Sequence, residues 1–221
     1  MRVQAILLAA FLAACSSTGS KGQSELQDLT GEIKKLSTEL TEAKTDLQKA
    51  LAEHDSIVDN KDGDYVGHYK KFKSAVETVE KDRKGISERV DKVKAAAEPY
   101  FNRWRDENSK ITDPGLRETD ARNMSASRAR YDEIFKAGDA AKAAYEPLME
   151  TLKNHVQFWS NNLNADSASQ MKGAAEKLGK DANNLYGLID KVVESAKKYN
   201  ESVAMRVTPK PAEPAKEPAK Q

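Results

Sequence analysis

Apolar side chains recur along most of this chain at alternating steps of three and four, the spacing that lines them up on one stripe of an α-helix. The first stripe is Leu26, Leu29, Ile33, Leu36, Leu40, Ala43, Leu47, Ala50, His54 and Ile57. A second runs from Tyr65 through Phe72, Val79, Val93, Tyr100 and Trp104 to Ile111, and its polar members are Arg83 and Glu107. The third is looser and richer in small residues: Met124, Ser127, Tyr131, Ile134, Gly138, Ala141, Tyr145, Leu148, Leu152, His155 and Trp159. The fourth, from Met171 through Leu178, Leu185, Val192 and Tyr199 to Val203, is apolar or tyrosine at every position. No segment alternates with period two over a useful length, so no strand is expected.

Breaks between the stripes carry helix stop and start chemistry. The acidic, glycine-bearing run Asp59 to Asp64 ends the first, and Asp113 followed by Pro114 reads as an N-cap with proline at the first helical position. Ser24 with Gln27, and Ser167 with Gln170 just after the turn Asn162 to Ala165, have capping-box spacing. These marks predict helices of about 35, 47, 48 and 37 residues, which short turns force to run antiparallel. The fold class is therefore all-α: an elongated antiparallel, coiled-coil-like bundle of four long helices over residues 24–205, up to about 70 Å long. Pro99 and Pro147 fall inside the long central helices and predict bends, with Gly138 a third soft point.

Both ends change character. Residues 206–221 include TPKPAEPAKEPAKQ, with four of the seven prolines, and predict an extended, disordered tail with a reach of some 40 Å. At the other end Arg2 precedes an apolar run from Val3 to Ala14, far short of the roughly 20 residues that span a bilayer. A positive start, a short apolar stretch and small residues before a cleavage point make residues 1–14 a signal peptide. Leu12, Ala13, Ala14 and Cys15 are similar to a bacterial lipobox, in which the chain is cut before a cysteine that then receives lipid. Cys15 is the only cysteine, so an exported chain has no internal disulfide to make of it. Two or more acyl chains on Cys15 would form a stable anchor, with residues 15–23 as a lipidated flexible linker. Ser16 after the cysteine favours, by analogy with such lipoproteins, the periplasmic face of the outer membrane.

Composition agrees with long solvated helices: 32% of residues are charged and 6% aromatic. The formal charge is +1, and loss of Arg2 with the signal would leave the mature chain neutral, with no bias toward nucleic acid.

Candidate chemistry is sparse. Asn60, Asp62 and Gly63 match part of a calcium loop, but its first and twelfth positions would be Val58 and Tyr69. His54, His68 and His155 are far apart in sequence, and two lie on stripes, where a hydrogen-bonded core histidine is expected. There is no glycine-rich phosphate loop, nucleophile elbow or Cys/His pair, so no catalytic residue, metal or cofactor is expected beyond the lipid on Cys15. The aromatic groups Tyr100, Phe101, Trp104 and Phe158, Trp159 would form, if paired across the bundle, one layer near one end. Tyr100, Trp104 and Trp159 are the candidate binding cluster.

The segment EPYFNRWRDE (98–107), the Gly115, Leu116, Arg117 turn, Arg130, Tyr131, Asp132, and EPLMETLKNHVQFWSNNLNA (146–165) together resemble a family of proteobacterial lipoproteins known only as a domain of unknown function. The resemblance reaches to about Val203 and leaves out the proline-rich tail. It implies a lipobox, long coiled-coil helices and a closing Asn162 to Ala165 turn, and it adds no catalytic residue. Two functions are compatible with these readings. One is a non-enzymatic scaffold or interaction protein of the cell envelope, with an envelope protein or the cell wall as partner and self-association open. The other is a periplasmic bundle that admits a lipid, metal or peptide between helices near Trp104 and Trp159.

Overall fold

The computed structural model describes the backbone of residues 14–207 and the side chains of residues 21–204. The signal-peptide residues Leu12 and Ala13, the Cys15 side chain and the tail beyond Val207 lie outside the described residues. Four helices make up the fold: α1 (Ala14–Asp59), α2 (Tyr65–Ser109), α3 (Pro114–Trp159) and α4 (Ala165–Val207). Their lengths of 46, 45, 46 and 43 residues correspond to about 65–70 Å each. No strand occurs among the described residues, and no helix there is long and apolar enough to cross a membrane.

The start of α3 obeys its sequence mark, and α2 takes its cap from the last residue of the acidic break. The Asp113 carboxylate accepts the Leu116 backbone N–H at 2.8 Å, with Pro114 opening α3. Asp64 caps α2 through the Gly67 N–H at 2.8 Å. That approach requires glycine, because a Cβ at residue 67 would sit 2.0 Å from the Asp64 carboxylate. Gly63, at φ 81, turns the chain just before it.

Two starts depart from expectation. Residues 15–23 are not a linker, because α1 already runs through them and leaves Ser24 with no cap to make. A formed helix propagates cheaply once nucleated. Here Glu25, just after that segment, is gripped by both arms of Arg103 on α2 at 2.5 Å. At α4 the cap is Asn164, whose side chain accepts the Ser167 N–H at 2.9 Å, so Ser167 lies within the helix rather than capping it. The expected lengths were therefore too short for α1 and α4, and Ile111 falls in the α2–α3 link instead of in α2. Both α2 and α3 run unbroken through Pro99 and Pro147.

Each helix lies with its backbone close against two neighbours: α1 with α2, α2 with α3, α3 with α4, and α4 back with α1. The ring closes in a single chain, and all four stripes point into it. Leu29, Ile33, Leu152, Leu178 and Tyr199 are 0–1% exposed. Arg83 is the exception: predicted on the α2 stripe, it is exposed. Register is held from outside by ion pairs, with Arg89 on Glu32 and Glu39 across α1–α2, Lys44 on Asp190 across α1–α4, and Lys153 on Glu80 across α2–α3. Each exposed pair is worth at most about 1 kcal/mol, so these contacts choose the register while apolar burial supplies the stability.

Gly85 and Gly173 sit exposed in mid-helix, and a Cβ at either would meet nothing within 4 Å. Gly85→Ala with Gly173→Ala is expected to stabilise the bundle by about 1–2 kcal/mol, since alanine restricts the unfolded chain and favours helix. Denaturant melts check this, and an unchanged midpoint would contradict it.

Candidate functional site

The predicted cluster of Tyr100, Trp104 and Trp159 does not assemble. Successive antiparallel helices place the end of α2 beside the start of α3, while the end of α3 lies at the opposite end of the bundle. Trp104, near the end of α2, donates its indole N–H to the Asp120 carboxylate of α3 at 3.0 and 3.1 Å. Roughly 60 Å of α3 then separates Asp120 from Trp159. The expected single aromatic layer is thus two layers, one at each end.

The first layer joins Tyr100 to Trp104 and Phe101, then Phe101 to Tyr131, and Tyr131 to Phe135 and Tyr199, with ring centroids 4.9–6.3 Å apart. Trp104 is half-buried and Asn108 also donates to Asp120, so this layer fastens the α2–α3 turn. Burial pushes the Tyr131 hydroxyl up to about 12.

The second layer holds the two stripe histidines. His54 of α1 and His155 of α3 meet across the bundle diagonal, with His155 Nδ1 3.0 Å from His54 Nε2 and the rings stacked at 4.8 Å. Phe72 and Trp159 stand edge-on to His54 at 5.1 and 6.2 Å. The expected hydrogen-bonded core histidine is therefore found twice over, each serving as the partner of the other. One ring donates and the other accepts, so the accepting ring is neutral. Burial, and next the neighbouring His155, push His54 down to about 3, and burial lowers His155 as well. The remaining His54 nitrogen, Nδ1, lies 3.8 Å from Asp55, beyond hydrogen-bond reach.

His68 serves differently. Its ring bridges Glu53 at 3.1 Å and Asp62 at 3.0 Å, fastening the α1–α2 link, and these carboxylates raise its pKa. Among the described residues no group of three or more His, Cys, Asp or Glu is placed to hold a metal.

An opening lies where no cluster was predicted, midway along the edge between α2 and α3. A cavity of about 350 Å³ has a floor of Leu36, Leu40 and Leu47 from α1 and Leu185, Ile189 and Val192 from α4. Only α2 and α3 bring charges to it, and they stand at the mouth: Arg83, Asp91 and Lys94 on one side, Asp139, Lys142 and Glu146 on the other. The volume lies within the range of small-ligand sites. Two departures from a bulky stripe were visible in the sequence, Arg83 on α2 and Gly138 on α3, and both line this opening. Their coincidence is a product of the antiparallel register.

A family described as a protein of unknown function (DUF2959) matches residues 17–203, from the first turn of α1 to the last buried residue of α4. The chain belongs to this family. The DUF2959 match covers all four helices and ends ahead of the proline-rich tail. No curated protein and no solved structure matches the chain. Membership in DUF2959 carries no assigned activity, so the site must be read from its own chemistry.

Proposed function

We propose that this protein is a non-enzymatic interaction bundle of the bacterial cell envelope, held at the periplasmic face of the outer membrane by lipid on Cys15. What carries the reading is the position of that cysteine. It follows Leu12, Ala13 and Ala14, and α1 already runs through it. Acyl chains on Cys15 would therefore join the membrane to a helix continuous from Cys15 to Asp59 without an intervening tether. A bundle about 65–70 Å long would carry partner-binding faces away from the bilayer surface.

Cys15→Ser tests this. Wild-type protein is expected to incorporate radiolabelled palmitate and fractionate with outer membranes, while the variant loses the label and leaves the membrane fraction with its helical circular dichroism intact. Unlabelled wild-type protein, or a variant still bound to outer membranes, would overturn the reading.

A further inference from the structure

We propose that the cleft between α2 and α3 binds a single long hydrocarbon chain carrying an anionic head, as in a fatty acid. The inference stands on the geometry of the cleft and is independent of the lipid on Cys15.

Bundle interiors pack to the density of organic crystals, so an unfilled opening at the middle of a regular bundle needs a cause. The cause is local. At Gly138 a Cβ would meet nothing within 4 Å, and Arg83 occupies a stripe position yet faces solvent. Ala141, a turn on from Gly138, and Ala43 on α1 also contribute little bulk. Filling such a volume with side chains would contribute several kcal/mol, at roughly 24 cal/mol per Å³. This chain leaves it open.

Shape and chemistry select the occupant. The lining on α2 extends from Val79 to Lys94, so about 350 Å³ is drawn out over roughly 22 Å of helix, a narrow slot for one extended chain. The floor is leucine, isoleucine and valine from α1 and α4, and these offer neither donor nor acceptor. A peptide laid there would strand its backbone polar groups, at a cost of order 1–3 kcal/mol each, whereas a hydrocarbon has none to lose. Nothing on the floor could ligate a metal.

The mouth decides the head. Arg83, Lys94 and Lys142 there make no ion pair, and neither do Asp91, Asp139 and Glu146. Long arginine and lysine stems can lay their charges over an apolar mouth, and two of the three acids there, Asp91 and Asp139, have shorter reach, Glu146 being the longer one. Lys94 already leans this way, with its ammonium 5.4 Å from the Phe135 ring centre. A carboxylate entering after its chain would therefore meet cations first.

The experiment uses the full chain carrying Cys15→Ser, which removes competing lipid of its own, with cis-parinaric acid as fluorescent probe. Saturable fluorescence at one probe per chain is expected, with displacement by palmitate at least ten-fold more effective than by hexadecanol. Gly138→Leu, placed in the open slot, should weaken probe binding at least ten-fold while the melting temperature holds or rises. Arg83→Ala combined with Lys142→Ala should reduce the palmitate preference and leave hexadecanol unaffected. If Gly138→Leu fails to fold, Ala141→Leu replaces it. Absence of saturable binding, or wild-type affinity in the folded filled variant, would overturn the site. Equal displacement by palmitate and hexadecanol would overturn the anionic head, and retained probe binding with no palmitate competition would overturn the fatty-acid class.

Discussion

Lowering the pH from 7 to 4.5 is expected to reduce the melting temperature of this bundle by roughly 5–10 °C, through His54 and His155. In the unfolded chain a histidine takes up a proton near pH 6.5. In the fold His54 resists until about pH 3, because its ring is fully buried and hydrogen-bonded to a second neutral imidazole. The unfolded state therefore binds more protons throughout that interval. The stability contributed by the neutral pair is fully present above pH 6.5 and is lost progressively as pH falls toward 3. At pH 4.5 His54 alone accounts for about 2–3 kcal/mol.

Charges near the pair do not offset this. Asp55 on the same helix is the closest acid at 3.8 Å, and its own pKa is raised, first by burial and then by Asp59. Phe72 and Trp159 present only ring edges. The double variant His54→Leu with His155→Leu removes donor and acceptor together, so it should be close to neutral at pH 7 and flatten the profile between pH 7 and 4.5. Thermal melts across that range check the pair, and a double variant as acid-sensitive as wild type would assign the effect elsewhere.

Trp159→Ala is expected to destabilise the protein by about 3–5 kcal/mol, the usual result of emptying a fully buried aromatic site. Trp159 is 0% exposed, closes α3, and packs against His54 and Phe158. At roughly 2–4 °C per kcal/mol for a chain of this size, melting should fall by about 6–20 °C. The loss has a second signature. Opening this layer admits water to His54, which raises its pKa and shallows the acid dependence. Trp104→Ala, at the other end and only half-buried, should cost less and leave the acid profile unchanged. A Trp159→Ala protein with wild-type melting would show that this end of the bundle is not packed as described.

The stripes were legible because a coiled-coil-like seam is a local property. Its members recur every three or four residues, and whichever neighbour covers them, the same residues must turn inward. Of the stripe residues, Arg83 alone proved exposed, and it is the one whose charge makes burial most costly. Helix ends were harder. Asp113 was found because proline follows it, but Ser24 and Ser167 carried the same capping pattern without being caps. Whether a cap is used depends on what lies before it: at α1 the helix continues back to Ala14, and at α4 Asn164 takes the N–H three residues on.

Helix content, the number of helices, their antiparallel order and their inward faces were determined by the amino-acid sequence, because each follows from periodicity and from short links. Tertiary structure alone decided which distant residues share a layer. It set Trp104 against Asp120 and not Trp159, joined His54 to His155 across a diagonal that no short-range pattern describes, and brought Arg83 and Gly138 to the same opening. The physical reason is register. Sliding one helix past another by a turn keeps every stripe buried, so the pattern tolerates many alignments, and only the summed packing and cross-helix ion pairs select one.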